Sequence, residues 1–401
     1  MIVRILHSKH RYFMKKVLFL IPTLSIGGGE RVVSELSLNL PESMERVIVL
    51  FKKEVSYPYK GNLISLNIPL PLKNPFSKIF HYLLGLLKFR KIVKTENPDY
   101  VISFGHPANV INILSACLPA GREQRAIVRV EGFLSNSCYD LGGRIYKFFI
   151  KRFFNKAYFV IDVSKASAKD LIENFGVKAN KIKVIYNPLN VKEIEKLAEE
   201  PLETKYQEIF DNPVIINVGR LTFQKTQNSL IEAFLMIKKE IKNVKLVILG
   251  QGELERELKE LSKRLGLDKD IYFLGWQKNP FKFLARSKLF LLSSLWEGLP
   301  YVLLEAMVCS LPIVSFDCKS GPREILAPDT NFGFETEDIE YAEYGTLVRP
   351  RDKDKLSEAA VKLLSDENLL NELKEKSIKR ALDFDIKNII KEWQFLENAN
   401  N

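Results

Sequence analysis

Two glutamates stand seven residues apart in the segment Glu297-Gly298-Leu299-Pro300-Tyr301-Val302-Leu303-Leu304-Glu305. Ionised carboxylates are pure hydrogen-bond acceptors, so a pair of them suits a ligand rich in hydroxyls, such as a sugar. Pro300 fits the first turn of a helix. That leaves Glu297 in the preceding loop and Glu305 about a turn and a half into the helix. The amides of Val302 and Leu303 then sit at a positive helix end, where they can cap a phosphate. The apolar residues between the glutamates indicate a buried helix, which argues against two ordinary surface carboxylates. A second segment, Gly219-Arg220-Leu221-Thr222-Phe223-Gln224-Lys225, puts two cations five positions apart in one loop. A guanidinium grips two oxygens in a planar fork and an ammonium acts as a point charge, so Arg220 and Lys225 can converge on a diphosphate. The alternative is a solvated basic loop. A third, Gly27-Gly28-Gly29-Glu30, lets backbone approach a phosphate or sugar at a helix start. It lacks the Gly-x-Gly-x-x-Gly spacing, Glu30 would repel a pyrophosphate set directly on it, and a plain strand-to-helix turn is the alternative. Gly321-Pro322-Arg323-Glu324-Ile325 is a fourth glycine turn leading into a helix.

Short apolar strands that alternate with helices position these segments. Val17 to Ile21, Val47 to Phe51, Tyr100 to Phe104, Ala126 to Val130, Phe159 to Val163 and Lys183 to Tyr186 form a first series. Asn187-Pro188 breaks the pattern, and residues 191–212, opening on a charged helix from Val191 to Glu200, are the expected interdomain linker. Val214 to Val218, Lys245 to Leu249, Ile271 to Leu274, Leu289 to Leu292 and Ile313 to Phe316 form a second series, and a last helix is expected over Ile386 to Leu396. Continuous apolar strands between helices imply an α/β protein with parallel sheets covered on both faces. Such sheets bind ligands at the carboxyl ends of their strands, where all four segments fall.

A chain of 401 residues exceeds the roughly 250–300 that one core supports, so two domains are expected. With 46% apolar and 27% charged residues, it reads as globular rather than disordered. No apolar run approaches the roughly 20 residues of a membrane-spanning helix. Residues 1–13 are basic, lack the apolar core of a secretory signal, and read as an N-terminal extension. Cys117, Cys138, Cys309 and Cys318 lack metal-ligand spacing and read as reduced, buried thiols in a cytoplasmic setting. The net charge of +11 favours an acidic partner: nucleic acid, anionic lipid or a phosphate-bearing small molecule. Asp383-Phe384-Asp385 looks like a metal-binding Asp-x-Asp but lies far from any strand end, and reads as a solvated turn.

Taken in order and spacing, these pieces resemble the family-4 retaining glycosyltransferases of the GT-B fold over about Lys15 to Phe384. The carriers are the Gly27 to Arg31 turn, Gly219-Arg220-Leu221 with Lys225, Gly-x-Gly at Gly250 and Gly252, Leu274-Gly275, the Glu297 to Glu305 segment with Ala306-Met307, and the Gly321 turn. The resemblance implies two Rossmann-like domains facing across a cleft. It implies an acceptor-binding domain over 14–190, a nucleotide-sugar domain over 213–383, and a C-terminal helix, 384–401, that can cross back to the first domain. It implies that Arg220 and Lys225 stabilise the leaving nucleoside diphosphate, that Glu297 holds donor-sugar hydroxyls, and that Glu305 binds the ribose. Gly28 and Gly29 close over the diphosphate, while Gly219, Gly250, Gly252, Gly298, Tyr301, Val302 and Leu303 complete the donor site. The nucleotide-sugar is a co-substrate, and neither cofactor nor metal is implied. Three departures stand out. Thr226 occupies a position where many members have glycine. Glu131-Gly132 stands where many have a sugar-contacting histidine, so that role is either vacant or passed to Glu131 or His106, a lone histidine being more often structural. Glu335 to Tyr344 is a longer acidic loop than the fold requires.

Two segments combine basic and apolar residues. Phe76, Ile79, Phe80, Leu83, Leu86 and Leu87 fall at helical spacing with Lys78, His81, Lys88 and Lys91 on the other side, and Arg144 to Lys156 holds five basic residues and four phenylalanines. Both suit an anionic bilayer, the alternative being apolar stripes packed on a sheet. The combined expectation is transfer of a hexose or N-acetylhexosamine from a nucleotide-sugar, UDP-linked, to a lipid-linked or cell-surface glycan at the inner face of the cell membrane, without nucleic acid. The rivals are a sugar phosphorylase or nucleotide-sugar epimerase of the same fold, and a non-enzymatic basic membrane-binding protein.

Overall fold

A computed structural model describes residues 14–25, 27–68, 75–118, 124–136 and 141–398, with side chains omitted for 75–79, 141 and 398. The expected extension, 1–13, and Cys138 lie outside the described residues. The chain forms two compact units: one takes in the residues up to Arg129, 156–159 and the chain from Trp393, and the other 130–155 and 160–392.

In the first unit, β1 (Lys15–Ile21), β2 (Met44–Leu50), β3 (Asn62–Ser65), β4 (Tyr100–Phe104) and β5 (Arg125–Val130) align in the order β3-β2-β1-β4-β5, all parallel. Val17 to Leu20 and Val47 to Leu50 are wholly buried, which is why these strands are continuous apolar runs rather than alternating ones. β3 was not expected: its four residues are only partly buried and carry no apolar run. The helix Gly28–Asn39 follows β1, and His106–Cys117 follows β4.

In the second unit, β6 (Phe159–Asp162) pairs in parallel with β7 (Ile182–Val184). A seven-stranded sheet contains β8 (Val214–Val218), β9 (Lys245–Leu249), β10 (Ile271–Gly275), β11 (Leu289–Leu292), β12 (Ile313–Phe316), β13 (Ile339–Ala342) and β14 (Gly345–Val348). Its order is β10-β9-β8-β11-β12-β14-β13, parallel except for β13. Alternate residues feed separate cores on its two faces: Val214, Ile216, Phe290 and Leu292 enter one, and Ile215, Leu289 and Leu291 the other. Each fully buried aliphatic side chain stabilises the fold by about 1.5–3 kcal/mol. Residues 191–212 form the helices Val191–Ala198 and Thr204–Phe210, whose Val191, Ile194 and Ile209 enter the first of these cores.

The acidic loop Glu335 to Tyr344 is accounted for by the β13–β14 hairpin. Glu340 on β13 bonds Arg323, with Nη2 to Oε2 at 2.7 Å, and pins the hairpin to the fold. The single terminal helix expected over Ile386 to Leu396 is instead two, Ile386–Glu392 and Phe395–Asn398. Cys318 is buried, but Cys117 is exposed and Cys309 only partly covered, which corrects the expectation of uniformly buried thiols.

Candidate active site

The strand-end loop after β8 turns through Phe223–Lys225 and brings the Lys225 ammonium 2.6 Å from Glu297 Oε1, in the loop after β11. Both side chains are mostly covered, 14% and 8% exposed. Further bonds lace the two loops together. Gln224 donates to the Trp296 carbonyl at 2.7 Å, the Leu295 amide to the Gln224 carbonyl at 2.8 Å, and the Ser293 hydroxyl to the Lys225 carbonyl at 2.8 Å. Arg220 is exposed at the mouth of the β8 loop, and its carbonyl accepts from Gln227 at 2.9 Å. The covered ion pair fixes one cation of this loop, while Arg220, five residues earlier, is exposed.

Three of the glycines expected at the donor site, Gly250, Gly252 and Gly298, stand tightly against the backbone of neighbouring loops. A Cβ on Gly250, which has φ +138°, would collide with the Gly219 carbonyl, and one on Gly252 with the Leu221 carbonyl. The β8 and β9 loops therefore lie back to back, bonded from the Gly219 amide to Leu249 and from the Leu221 amide to Gln251, both at 2.9 Å. The stem of Lys225 passes over Gly219. A Cβ on Gly298 would strike the Glu131 carbonyl, so the exposed Glu131 is brought to this loop through its backbone.

The helix after Glu297 begins at Tyr301, with Pro300 just before it. The Leu303 amide donates to the Pro300 carbonyl at 3.1 Å and the Leu303 side chain is buried in the core, so this residue is committed within the first turn. The Tyr301 hydroxyl donates to the Pro188 carbonyl at 3.0 Å, tying the 187–190 segment to the helix, and Val302 is half-buried against the core. Glu305 is 7% exposed. Burial, reinforced by Glu305, pushes the neighbouring Cys309 thiol up to about 12.

Thr226 has φ +48°, the left-handed region, which explains why glycine suits this position. Its hydroxyl donates to the Phe223 carbonyl at 3.1 Å.

The Gly321 turn is tied into the fold by a polar network. Arg323 bonds Asp317 and Glu340, and Glu324 accepts from the Lys165 and Ala166 amides at 2.9 and 2.7 Å, capping the helix Lys165–Phe175. Ser320 joins this network through Ser164 at 2.6 Å and the Gly298 carbonyl at 2.9 Å. Close by, Asp162 is wholly buried, accepting from the Ser164 amide and Ser167 hydroxyl, and burial raises its carboxyl to about 8. Sequence reading missed Asp162, Ser164 and Ser320, because small polar residues carry no periodic signal.

In the first unit, Gly28 and Gly29 open the helix Gly28–Asn39. Glu30 folds back so far that a Cβ on Gly27 would meet its carboxylate, and burial raises that carboxyl above the usual range. His106 opens the helix His106–Cys117, with its pKa lowered by desolvation. Asp383 pairs with Arg380 at 2.8 Å, and the flanking backbone bonds Leu189, so Asp383-Phe384-Asp385 is a structural turn. Among the described residues, no group of three or more His, Cys, Asp or Glu is placed to hold a metal ion.

A pair of Rossmann-like parallel-sheet units with an Arg/Lys loop and a Glu-x7-Glu segment at strand ends defines a GT-B type glycosyltransferase. The family model described as glycosyltransferase family 4 matches residues 26–193, and that of glycosyl transferases group 1 matches 199–380. An uncharacterized glycosyltransferase of Methanocaldococcus jannaschii is 36% identical over 81% of this chain and 85% of its own. A Campylobacter jejuni N-acetylgalactosamine-N,N'-diacetylbacillosaminyl-diphospho-undecaprenol 4-alpha-N-acetylgalactosaminyltransferase is 30% identical over 93% of this chain and 96% of its own. The fold matches Anabaena HepE, solved with UDP and glucose, at a TM-score of 0.74 and 20% identity, over 96% of this chain and all of that one. The chain belongs to glycosyltransferase family 4.

Proposed function

We propose that this protein transfers a hexose or N-acetylhexosamine, with retention of configuration and without a metal, from a UDP-sugar to a lipid-linked or cell-surface glycan. The observation that carries the reading is the covered Lys225–Glu297 pair beside the exposed Arg220, all at strand ends. Arg220 and Lys225 stabilise the diphosphate as the bond from the sugar's anomeric carbon to the phosphate oxygen breaks. Glu297 holds sugar hydroxyls and Glu305 the ribose, while Gly28 and Gly29 close over the diphosphate. The acceptor hydroxyl attacks the face that the phosphate leaves, and its proton passes to a phosphate oxygen. Preorganised donors of this kind typically contribute about 10²–10³ in rate each. His106 or Glu131 meets the sugar or acceptor.

A lipid-linked acceptor is supported by the C. jejuni relative, whose named acceptor is carried on diphospho-undecaprenol. It is also supported by surface chemistry. Phe80, Leu83 and Leu87, on one face of the helix Pro75–Glu96, are 61%, 54% and 61% exposed. Ile145 and Phe148 stand out from the helix Leu141–Phe153 among the exposed Arg144, Lys151 and Arg152. His81, expected among the solvated lysines, is instead buried beside Phe51. Of the four phenylalanines between 148 and 154, Phe154 is wholly buried and only Phe148 is fully outward. Exposed apolar side chains flanked by cations suit the interface of an anionic bilayer, at the inner face of the cell membrane. None of the described helices is long and apolar enough to cross a membrane.

The experiment is a thermal-shift panel of UDP-, GDP- and ADP-sugars. A ligand at about 100 times its dissociation constant stabilises by roughly 2.7 kcal/mol. A shift with a UDP-sugar supports the reading, and no shift with any nucleotide-sugar overturns it.

A further inference from the structure

A cavity of about 540 Å³ lies in the second unit, lined in part by the loop after β12. Its floor is Cys318 to Gly321, and the backbone of this loop bonds that of Glu297, with the Glu297 amide donating to the Lys319 carbonyl at 3.3 Å. One wall is the helix Lys165–Phe175, and the other is the segment 332–337 that precedes the β13–β14 hairpin. The segment 332–337, which includes the start of the acidic insertion, therefore builds one side of a cavity whose floor is bonded to the candidate active site.

The lining chemistry narrows the occupant. Six carboxylates and three cations line the cavity, an acidic excess in a chain of net charge +11. A nucleoside diphosphate or a lipid diphosphate is disfavoured there by like charge. Asp317, Glu324 and Asp170 are engaged in protein contacts, with Arg323, the Lys165–Ala166 amides and Ser135 respectively. The remaining carboxylates are Glu173, which faces Lys169 at 3.8 Å, Glu335 and Glu337. Three rings line the cavity as well: Phe133, Phe332, which has the Lys165 ammonium over it at 5.3 Å, and the half-exposed Phe334, which has the Arg323 guanidinium over one face at 5.1 Å and the other face open to a ligand. Acceptor-only oxygens match hydroxyl donors, and aromatic rings match the apolar C–H face of a pyranose.

We propose that this cavity is a saccharide subsite that holds a non-reacting unit of the acceptor glycan, with Phe334 as its stacking face and Glu335 and Glu337 as its hydroxyl acceptors. The assignment rests on the reading that the acceptor is a glycan. It makes the insertion a device for measuring acceptor length: an acceptor with a second sugar reaches the cavity, and a single sugar does not.

The test uses the full chain with saturating UDP and, as probes, free N-acetylgalactosamine and its α1,4-linked disaccharide and trisaccharide. Binding is followed by saturation-transfer NMR, beside the UDP thermal shift. Phe334→Ala removes an exposed ring and Glu335→Gln keeps shape, so both variants should fold. The expected result is binding of the longer probes, weakened at least about tenfold in both variants while the UDP shift stays at the wild-type value. Oligosaccharide binding unchanged in both variants, or no binding of any probe by wild type, overturns the subsite. A wild type that binds oligosaccharide through Phe334 but shows no UDP shift upholds the subsite and overturns the UDP-donor reading instead.

Discussion

The Lys225 ammonium and the Glu297 carboxylate meet at 2.6 Å across two strand-end loops that are also joined by the Leu295 amide and by the Gln224 and Ser293 side chains. Removing one member of a covered ion pair strands the other, at a cost on the order of 3 kcal/mol. Lys225→Ala is therefore expected to lower Tm as well as activity. Arg220→Ala, at an exposed position, should lower activity alone. Thermal denaturation of both variants checks this, and equal Tm losses would contradict it.

Thr226 holds a left-handed backbone with a β-branched side chain, a combination that costs roughly 1–2 kcal/mol. Asparagine tolerates that region better, so Thr226→Asn should be at least as stable as wild type. Thr226→Val keeps the branching and loses the hydroxyl bond to Phe223, and should be about 1 kcal/mol less stable. Denaturant midpoints give the order, and a reversed order would refute the strain argument.

Asp162 supplies a pH signature. Burial raises its folded pKa to about 8, against an ordinary 3.8 for an aspartate in water. The unfolded chain releases this proton near pH 4 and the folded chain near pH 8. The stability it contributes is fully present below pH 4 and is lost as pH rises toward 8. Asp162→Asn should remove that slope, so the Tm difference between variant and wild type should widen in the variant's favour from pH 5 to 8 and then level off. Parallel Tm curves would show that Asp162 is ionised throughout.

Vesicle co-sedimentation separates the two parts of the membrane reading. Charge attraction is screened within about 8 Å at physiological salt, whereas apolar insertion survives it. Arg144, Lys151 and Arg152 changed to Glu should abolish binding to anionic vesicles at low salt. Phe80, Leu83 and Leu87 changed to Ser should abolish the part that persists at high salt. Lys147 is best left intact, because it stacks on Phe175 at 5.0 Å. Wild type that ignores anionic vesicles at low salt would end this reading.

What the sequence made legible follows from burial. Five of the expected strands, among them Val214–Val218 and Leu289–Leu292, coincide with observed ones to the residue, because both faces are buried and the apolar run equals the strand. β3 and β13 escaped because their residues are half-exposed and lack such a run. The Lys225–Glu297 pair joins loops 72 residues apart, and only their shared place at strand ends hinted at it. Gly250, Gly252 and Gly298 were legible as positions that need glycine, but not that each faces another loop's carbonyl, because that close approach and contact with a phosphate require the same missing Cβ. The exposed face of the helix Pro75–Glu96 was not legible, because apolar spacing alone does not say whether a stripe meets a sheet or solvent.

The most direct measurement is UDP release from a UDP-sugar in the presence of a diphospho-undecaprenol-linked glycan and excess EDTA, for wild type and Arg220→Ala. Charge stabilisation by Arg220 and Lys225 predicts full turnover by wild type in EDTA and a loss of at least about 10² in the variant. Turnover that EDTA abolishes and magnesium or manganese restores, or an Arg220→Ala variant as fast as wild type, would contradict the account.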